Sequence, residues 1–223
     1  MQKKSLIVIP ATGHYYPQAL RLREEITRHM PWADVLILSD QKGANYYIEH
    51  LYFPMAVLMK FEHLLDIIKT TNYEFYFHFD ADLAVVQNIQ EWVFCKPFVC
   101  VRHSYLTPNS PNVVEQNKKS CSFMDVLPNN HFQSAIFGGL RSEMVELCKT
   151  CSAMIDRDLS HRLVALWHDE SYLNKFIHEK FSGLMPPGTL DRKYFVRIPH
   201  TGKYINPMYL LPENQYIIHP RHN

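Results

Sequence analysis

The feature that most constrains this chain is an alternation of two hydrophobic periods near its N-terminus. "SLIVI" (Ser5–Ile9) is a short apolar, β-branched run and reads as a buried strand. A helical pattern follows, with Ala19, Leu22, Ile26 and Met30 on one face. "DVLILSD" (Asp34–Asp40) is a second buried run. Leu58, Phe61, Leu65 and Ile68 then mark one face of a second helix. "YEFYFHF" (Tyr73–Phe79) is a third strand and "FVCV" (Phe98–Val101) a fourth. Strands that are apolar on both sides, spaced by helices, require a mostly parallel sheet covered on both faces. The expected fold class is therefore α/β. Such sheets bind ligands beyond the carboxyl ends of their strands. Residues 105–130 are polar and aperiodic and are expected to loop over the site. Residues 182–223 show little helical pattern. With 223 residues and no linker or repeat, one domain over 1–223 is expected.

Three stretches carry residues suited to chemistry. In "FHFDADL", Asp80 and Asp82 flank one small residue at a strand end. Two carboxylates so placed can converge on a hard divalent cation. A solvated turn with two Asp is the plain alternative. A dehalogenase-type phosphatase also carries Asp-x-Asp, but after its first strand; here the pair follows the third, and Ala84 stands at the fifth position. In "HFQSAIFGGLRSEM" (His131–Met144), Gly138 and Gly139 interrupt an apolar stretch before a helix, as a close backbone approach requires and as a simple turn also would. In "ALWHDESYLNKF" (Ala165–Phe176), Trp167, His168, Asp169 and Glu170 precede Ser171, a candidate helix cap. Acidic residues suit helix N-termini for electrostatic reasons alone. Neighbouring helical residues point about 100° apart, so Asp169 and Glu170 cannot form one symmetric dyad: one can bind while the other reacts. Trp167 offers a face that stacks on a sugar ring, although Trp is more often core.

Composition excludes several classes. The net charge is +1, with the charges mixed, so no basic stripe suggests nucleic acid. No apolar run reaches membrane-spanning length. The first apolar run is too short for a signal segment. Five irregularly spaced cysteines do not form a disulfide framework. Cys148 and Cys151 fall on the apolar side of a helical pattern and read as core. A reducing cytoplasm is the expected compartment, with at most a peripheral contact with a membrane.

In this order and spacing, "FDADL", "AIFGG" and "WHDESYLNK" resemble glycosyltransferase family six, which includes the ABO blood-group and α-1,3-galactosyltransferases and small bacterial members. "PATGHYY", "VLILSD", "KFEHLLD" and "INPMYLLPE" are similar to weaker family positions, so the resemblance spans nearly the whole chain. It implies a GT-A-like fold, with 1–102 as the nucleotide-binding half and 103–223 as the acceptor and catalytic half. It also implies a UDP-sugar donor, Mn²⁺, and retaining transfer of galactose or N-acetylgalactosamine in α-1,3 linkage to an oligosaccharide or glycolipid. Asp80 and Asp82 match the metal carboxylates. Pro10, Ala11, Thr12, Tyr15, Lys60, Asp80 and Arg221 match UDP-binding positions; at Lys60 the family has Arg, a change in geometry at constant charge. Gln133, Ser134 and Ala135 match the donor-sugar pocket, along with His168 and Asp169. His103 and Trp167 match acceptor positions. Glu170 matches the carboxylate on the β-face of the sugar. Ala135, where N-acetylgalactosamine users often have Gly, favours galactose. Val114-Glu115-Gln116-Asn117 stands where the family has Tyr-Glu-Arg-Arg, which implies a different acceptor. The alternative is a catalytically silent carbohydrate-binding relative.

Overall fold

The computed structural model describes residues 3–85, 88–102, 114–126, 128–190, 195–199 and 217–221, the last two stretches as backbone. Strand β1 (Ser5–Pro10) lies at the centre of the N-terminal half. It pairs in parallel with β2 (Ala33–Ser39) on one side and with β4 (Phe75–Phe79) on the other. A two-residue β3 (Tyr46–Tyr47) extends the edge beyond β2. Beyond β4 come β7 (Phe132–Leu140), β6 (Phe98–Arg102) and β8 (Gly188–Leu190). The sheet order is β3-β2-β1-β4-β7-β6-β8, with β7 antiparallel to both of its neighbours and the other pairs parallel. A small second sheet joins β5 (Ala84–Val85), β10 (Ile217–Arg221) and β9 (Phe195–Pro199). The expected mostly parallel α/β architecture is thus present among the described residues.

Period-two alternation sends each strand's side chains to two cores. Ile7, Ile9, Ile37, Phe77, Phe79 and Val99 pack with Ala19, Leu22 and Ile26 of α1 (Tyr16–His29). Leu6, Val8, Tyr76, Cys100 and Phe137 pack on the opposite face. That face is covered by α3 (Lys60–Thr70), α5 (Arg141–Ser160) and α6 (Asp169–Lys180). Short helices α2 (Met55–Leu58) and α4 (Glu91–Phe94) complete the layers. Cys148 and Cys151 are buried in this second core and all five cysteines are free, as expected. No helix among the described residues is long and apolar enough to cross a membrane.

Four expectations need correction. The third predicted strand begins at Phe75, because the Tyr73 hydroxyl is engaged by Asp34 and its N–H donates to the Tyr76 hydroxyl. The buried face of α3 is Phe61, Leu64, Ile67 and Ile68, with Leu65 only partly buried. The segment from 182 onward, aperiodic in sequence, contributes β8, β9 and β10, which are too short and Pro-rich to show a period. Ser171 does not cap α6 from outside: the helix starts at Asp169, and the Ser171 hydroxyl accepts the Trp167 N–H at 3.0 Å.

Gly138 and Gly139 lie inside β7, not in a turn. A Cβ on Gly138 would stand 2.1 Å from Phe77 Cδ1 and 2.5 Å from the Tyr76 carbonyl. One on Gly139, at φ 147°, would stand 2.2 Å from the Pro97 carbonyl. Both glycines let β7 seat between β4 and β6, which fixes the residues at its start against the end of β4.

Candidate active site

β1 is flanked by β2 on one side and β4 on the other, so the strand order reverses there and a crevice opens at the strand ends. A cavity of about 500 Å³ lies there. Its walls include Pro10, Ala11, Thr12 and Tyr15 after β1, Lys60 on α3, and Asp80 and Asp82 after β4. These are the predicted nucleotide-side residues, Arg221 excepted. Arg221 ends β10, and its side chain lies outside the described residues, as does all of His103.

The β1 turn is held from below. The Ser39 hydroxyl donates to the Ala11 carbonyl at 2.5 Å, and Asp40 accepts the Gly13 N–H at 3.0 Å. Burial raises the Asp40 pKa, but hydrogen bonds from Gly13, Gln41, His50 and Ser39 outweigh it and bring it to about 2. Sequence reasoning missed this support; the signal was the polar pair closing an otherwise apolar strand. It also missed Tyr52 and Phe53, exposed aromatics on the cavity rim.

Asp80 and Asp82 occupy the turn that ends β4, closed by the Leu83 N–H on the Asp80 carbonyl. Burial raises the Tyr15 pKa, and the fields of Asp82 and Asp80 add to it, so both carboxylates act on the same wall. A hard cation is commonly held by one or two carboxylates, with phosphate and water supplying the other oxygens. The donor set of Asp80 and Asp82 fits that pattern. Among the described residues no group of three His, Cys, Asp or Glu gathers as a metal site.

Lys60 is 3% exposed. Its ammonium lies 2.8 Å from Asp169 and 3.1 Å from Asp80, with the Ser134 carbonyl at 3.5 Å. Burial lowers its pKa, but Asp169 and then Asp80 outweigh this and hold it above the usual lysine range. His78, buried under Asp80, places Nε2 2.8 Å from the same Oδ1. Burial and the Lys60 charge lower the His78 pKa despite that carboxylate. The Asp80 N–H donates to the Ala135 carbonyl at 2.9 Å. The strand-end carboxylate, the Gln133-Ser134-Ala135 stretch and the start of α6 are therefore one connected unit.

On α6 the two adjacent acids diverge, as helix geometry requires. Asp169 faces Lys60. Glu170 Oε1 lies 2.9 Å from His131 Nε2, and its Oε2 accepts the Ser134 N–H at 3.1 Å. Trp167 is 43% exposed, so it is not core. The His168 ring meets Phe53 edge-on at 4.5 Å. The described part of the predicted loop, from Val114, is irregular and anchored here: Glu115 accepts the Leu166 N–H, and Asp158 of α5 accepts from Ser120, Cys121 and Tyr172.

The description "Glycosyltransferase family 6" matches residues 55–205. That stretch contains Lys60, Asp80, Asp82, Gln133–Ala135 and Trp167–Glu170, and omits Pro10–Tyr15 and Arg221. The O-antigen biosynthesis glycosyltransferase WbnI of Escherichia coli is 27% identical over 142 residues, covering 59% of this chain and 58% of the relative. Globoside alpha-1,3-N-acetylgalactosaminyltransferase 1 of Gallus gallus is 33% identical over 90 residues, 39% of this chain and 26% of the relative. Histo-blood group ABO system transferase 2 of Rattus norvegicus is 34% identical over 65 residues, 28% and 20% of the respective chains. The aligned part thus spans 58% or less of the length of each of these relatives.

Proposed function

Because the chain belongs to glycosyltransferase family 6, we propose that it transfers galactose or N-acetylgalactosamine from a UDP-sugar to a glycan in α-1,3 linkage, with retention of configuration. The single observation that carries this reading is the Lys60 bridge. It ties Asp80, on the cavity wall, to Asp169, beside Glu170. A nucleotide in the cavity would place its diphosphate near Asp80 and Asp82 and its sugar toward α6.

In this reading Pro10, Ala11, Thr12 and Tyr15 cradle uridine, and Asp80 and Asp82 hold a manganese ion. When bound, such an ion supplies positive charge to a departing diphosphate. Lys60 keeps Asp80 and Asp169 fixed relative to each other. Asp169 and His168 orient the sugar hydroxyls, and Gln133, Ser134 and Ala135 shape the space beside C2. Glu170 presents a carboxylate to the β-face of the anomeric carbon, where a retaining reaction needs one. Trp167 gives the acceptor a stacking wall. The different residues at 114–117 favour an acceptor unlike that of the animal enzymes. Family membership removes the support for a dehalogenase-type phosphatase.

The test is hydrolysis and transfer with UDP-galactose and UDP-N-acetylgalactosamine, with manganese and with EDTA. Glu170→Ala should abolish turnover and leave UDP affinity nearly unchanged. Asp82→Asn should lower turnover by about 10²-fold or more, the scale of losing a main electrostatic stabiliser. Full activity in EDTA would remove the metal from the reading. Binding of both donors with no turnover would favour the silent carbohydrate-binding alternative.

A further inference from the structure

Glu170 is held by more than its place on α6. His131, at the residue before β7, has 4% exposure and sets Nε2 2.9 Å from Glu170 Oε1. The Ser134 N–H reaches the other oxygen at 3.1 Å. One turn on, Asn174 accepts the Phe132 N–H at 2.8 Å. Its amide donates to the Phe132 carbonyl at 2.7 Å and to the Glu170 carbonyl at 2.8 Å. The side chain of Asn174 thus pairs with Phe132 as a neighbouring strand would. It locks the first turn of α6 to the start of β7 at the place where His131 emerges.

The proton positions follow from this pattern. Both amide hydrogens of Asn174 are used on carbonyls. An ionised carboxylate only accepts. The 2.9 Å contact therefore has its hydrogen on His131 Nε2, which donates to Glu170.

We infer that His131 is a positioning residue for Glu170, fixing the carboxylate's rotamer so that it meets the sugar in one orientation. The inference rests on the reading of Glu170 as the sugar-facing carboxylate. A glutamate has three rotatable side-chain bonds, and freezing them costs rotamer entropy. His131 and Ser134 meet that cost in the folded protein, before donor arrives. Catalysis depends on such alignment: a displacement of about 1 Å at a reacting group lowers rate by roughly 10²-fold. His131 reaches the sugar only through Glu170, so its loss should act on kcat and spare donor affinity.

The experiment compares His131→Leu, His131→Gln and Glu170→Ala in donor hydrolysis with manganese, together with each variant's melting temperature. His131→Leu should lower kcat roughly ten- to a hundredfold, with KM for the donor within twofold. His131→Gln keeps an N–H donor of similar reach and should recover most of the rate. Wild-type kcat in His131→Leu, with Glu170→Ala inactive, overturns the inference and leaves Glu170's role intact. An equal loss in the Leu and Gln variants also overturns it, because the hydrogen bond would then not matter. Activity in Glu170→Ala instead overturns the reading of Glu170, and with it the need for a positioning partner. Should His131→Leu not fold, His131→Asn takes its place. Its shorter amide cannot reach Glu170, and an unchanged kcat there overturns the inference.

Discussion

Replacing Lys60 by Met tests whether the two halves of the site are joined by a charge or by packing alone. Met preserves most of the apolar stem and removes the ammonium. That ammonium lies 2.8 Å from Asp169 and 3.1 Å from Asp80. With an effective dielectric of about 20, each attraction is roughly 5–6 kcal/mol gross, before desolvation is subtracted. Asp169 is 7% exposed at its side chain and has little water to replace the lost partner, whereas Asp80 is 33% exposed and recovers much of its solvation. The net loss should therefore sit at the lower end of the 3–5 kcal/mol typical of a broken buried pair, at about 3 kcal/mol. For a chain of this length that is a fall in Tm of roughly 6–12 °C. Thermal unfolding followed by circular dichroism measures it. The double variant Lys60→Met, Asp169→Asn removes the stranded charge and should regain at least about 1 kcal/mol relative to Lys60→Met. A Lys60→Met Tm within about 2 °C of wild type would refute the electrostatic account. So would a double variant in which the two losses simply add.

Asp40 has its pKa brought down to about 2 in the folded protein, from 3.8. A depressed carboxylate stabilises above its unfolded pKa and loses that contribution as pH falls through the folded one. Asp40→Asn should thus be less stable than wild type at pH 7, and the gap between the two should close between about pH 4 and pH 2 in denaturation series. Gly138→Ala puts a methyl against Phe77 and the Tyr76 carbonyl; it should cost at least the roughly 1–3 kcal/mol of an overpacked core, read as lost soluble yield or lower Tm. Ala135→Gly should shift kcat/KM from UDP-galactose toward UDP-N-acetylgalactosamine by about ten- to a hundredfold, the range for space beside one substituent. A wild type that already prefers the acetamido sugar would make Gln133 the residue to explain.

Much of the fold was legible because buried parallel strands write themselves as apolar runs. β1, β2, β4 and β6 appear in the sequence within one or two residues of their observed ends. β3 and β8 do not, because two or three residues carry no measurable period, and β9 and β10 do not, because Arg197 and Pro199 in one and His219, Pro220 and Arg221 in the other interrupt the apolar run. Gly138 and Gly139 marked a close approach, but only the sheet order shows that β4 and β6 are what they approach. His131 gave little sign of its contact with Glu170. A single histidine before a strand is unremarkable, and its partner lies thirty-nine positions away. The available clue was on α6, where Glu170 and Asn174 are four apart and share a helix face.

The adjacency of Asp169 and Glu170 raises the question of how two neighbouring carboxylates serve different ends. Part of the answer lies one residue earlier. His168 sits at φ 50°, ψ −125°, a region L-residues rarely occupy, at a cost of about 1–3 kcal/mol. That kink starts α6 abruptly, within a turn closed by His168 N–H on the Ala165 carbonyl and Glu170 N–H on the Trp167 carbonyl. Asp169 and Glu170 thereby enter the helix at its first two positions, where the macrodipole favours anions. Their 100° separation then sends one toward Lys60 and the other toward His131 and Ser134. Each carboxylate is pinned by a different strand-end or helix residue, so neither can take the other's place. The strain at His168 is sustained by contacts on both sides: Ser171 holds the Trp167 N–H, and Phe53 packs on the His168 ring. In the proposed reading, that geometry lets Asp169 hold the sugar while Glu170 faces its anomeric carbon.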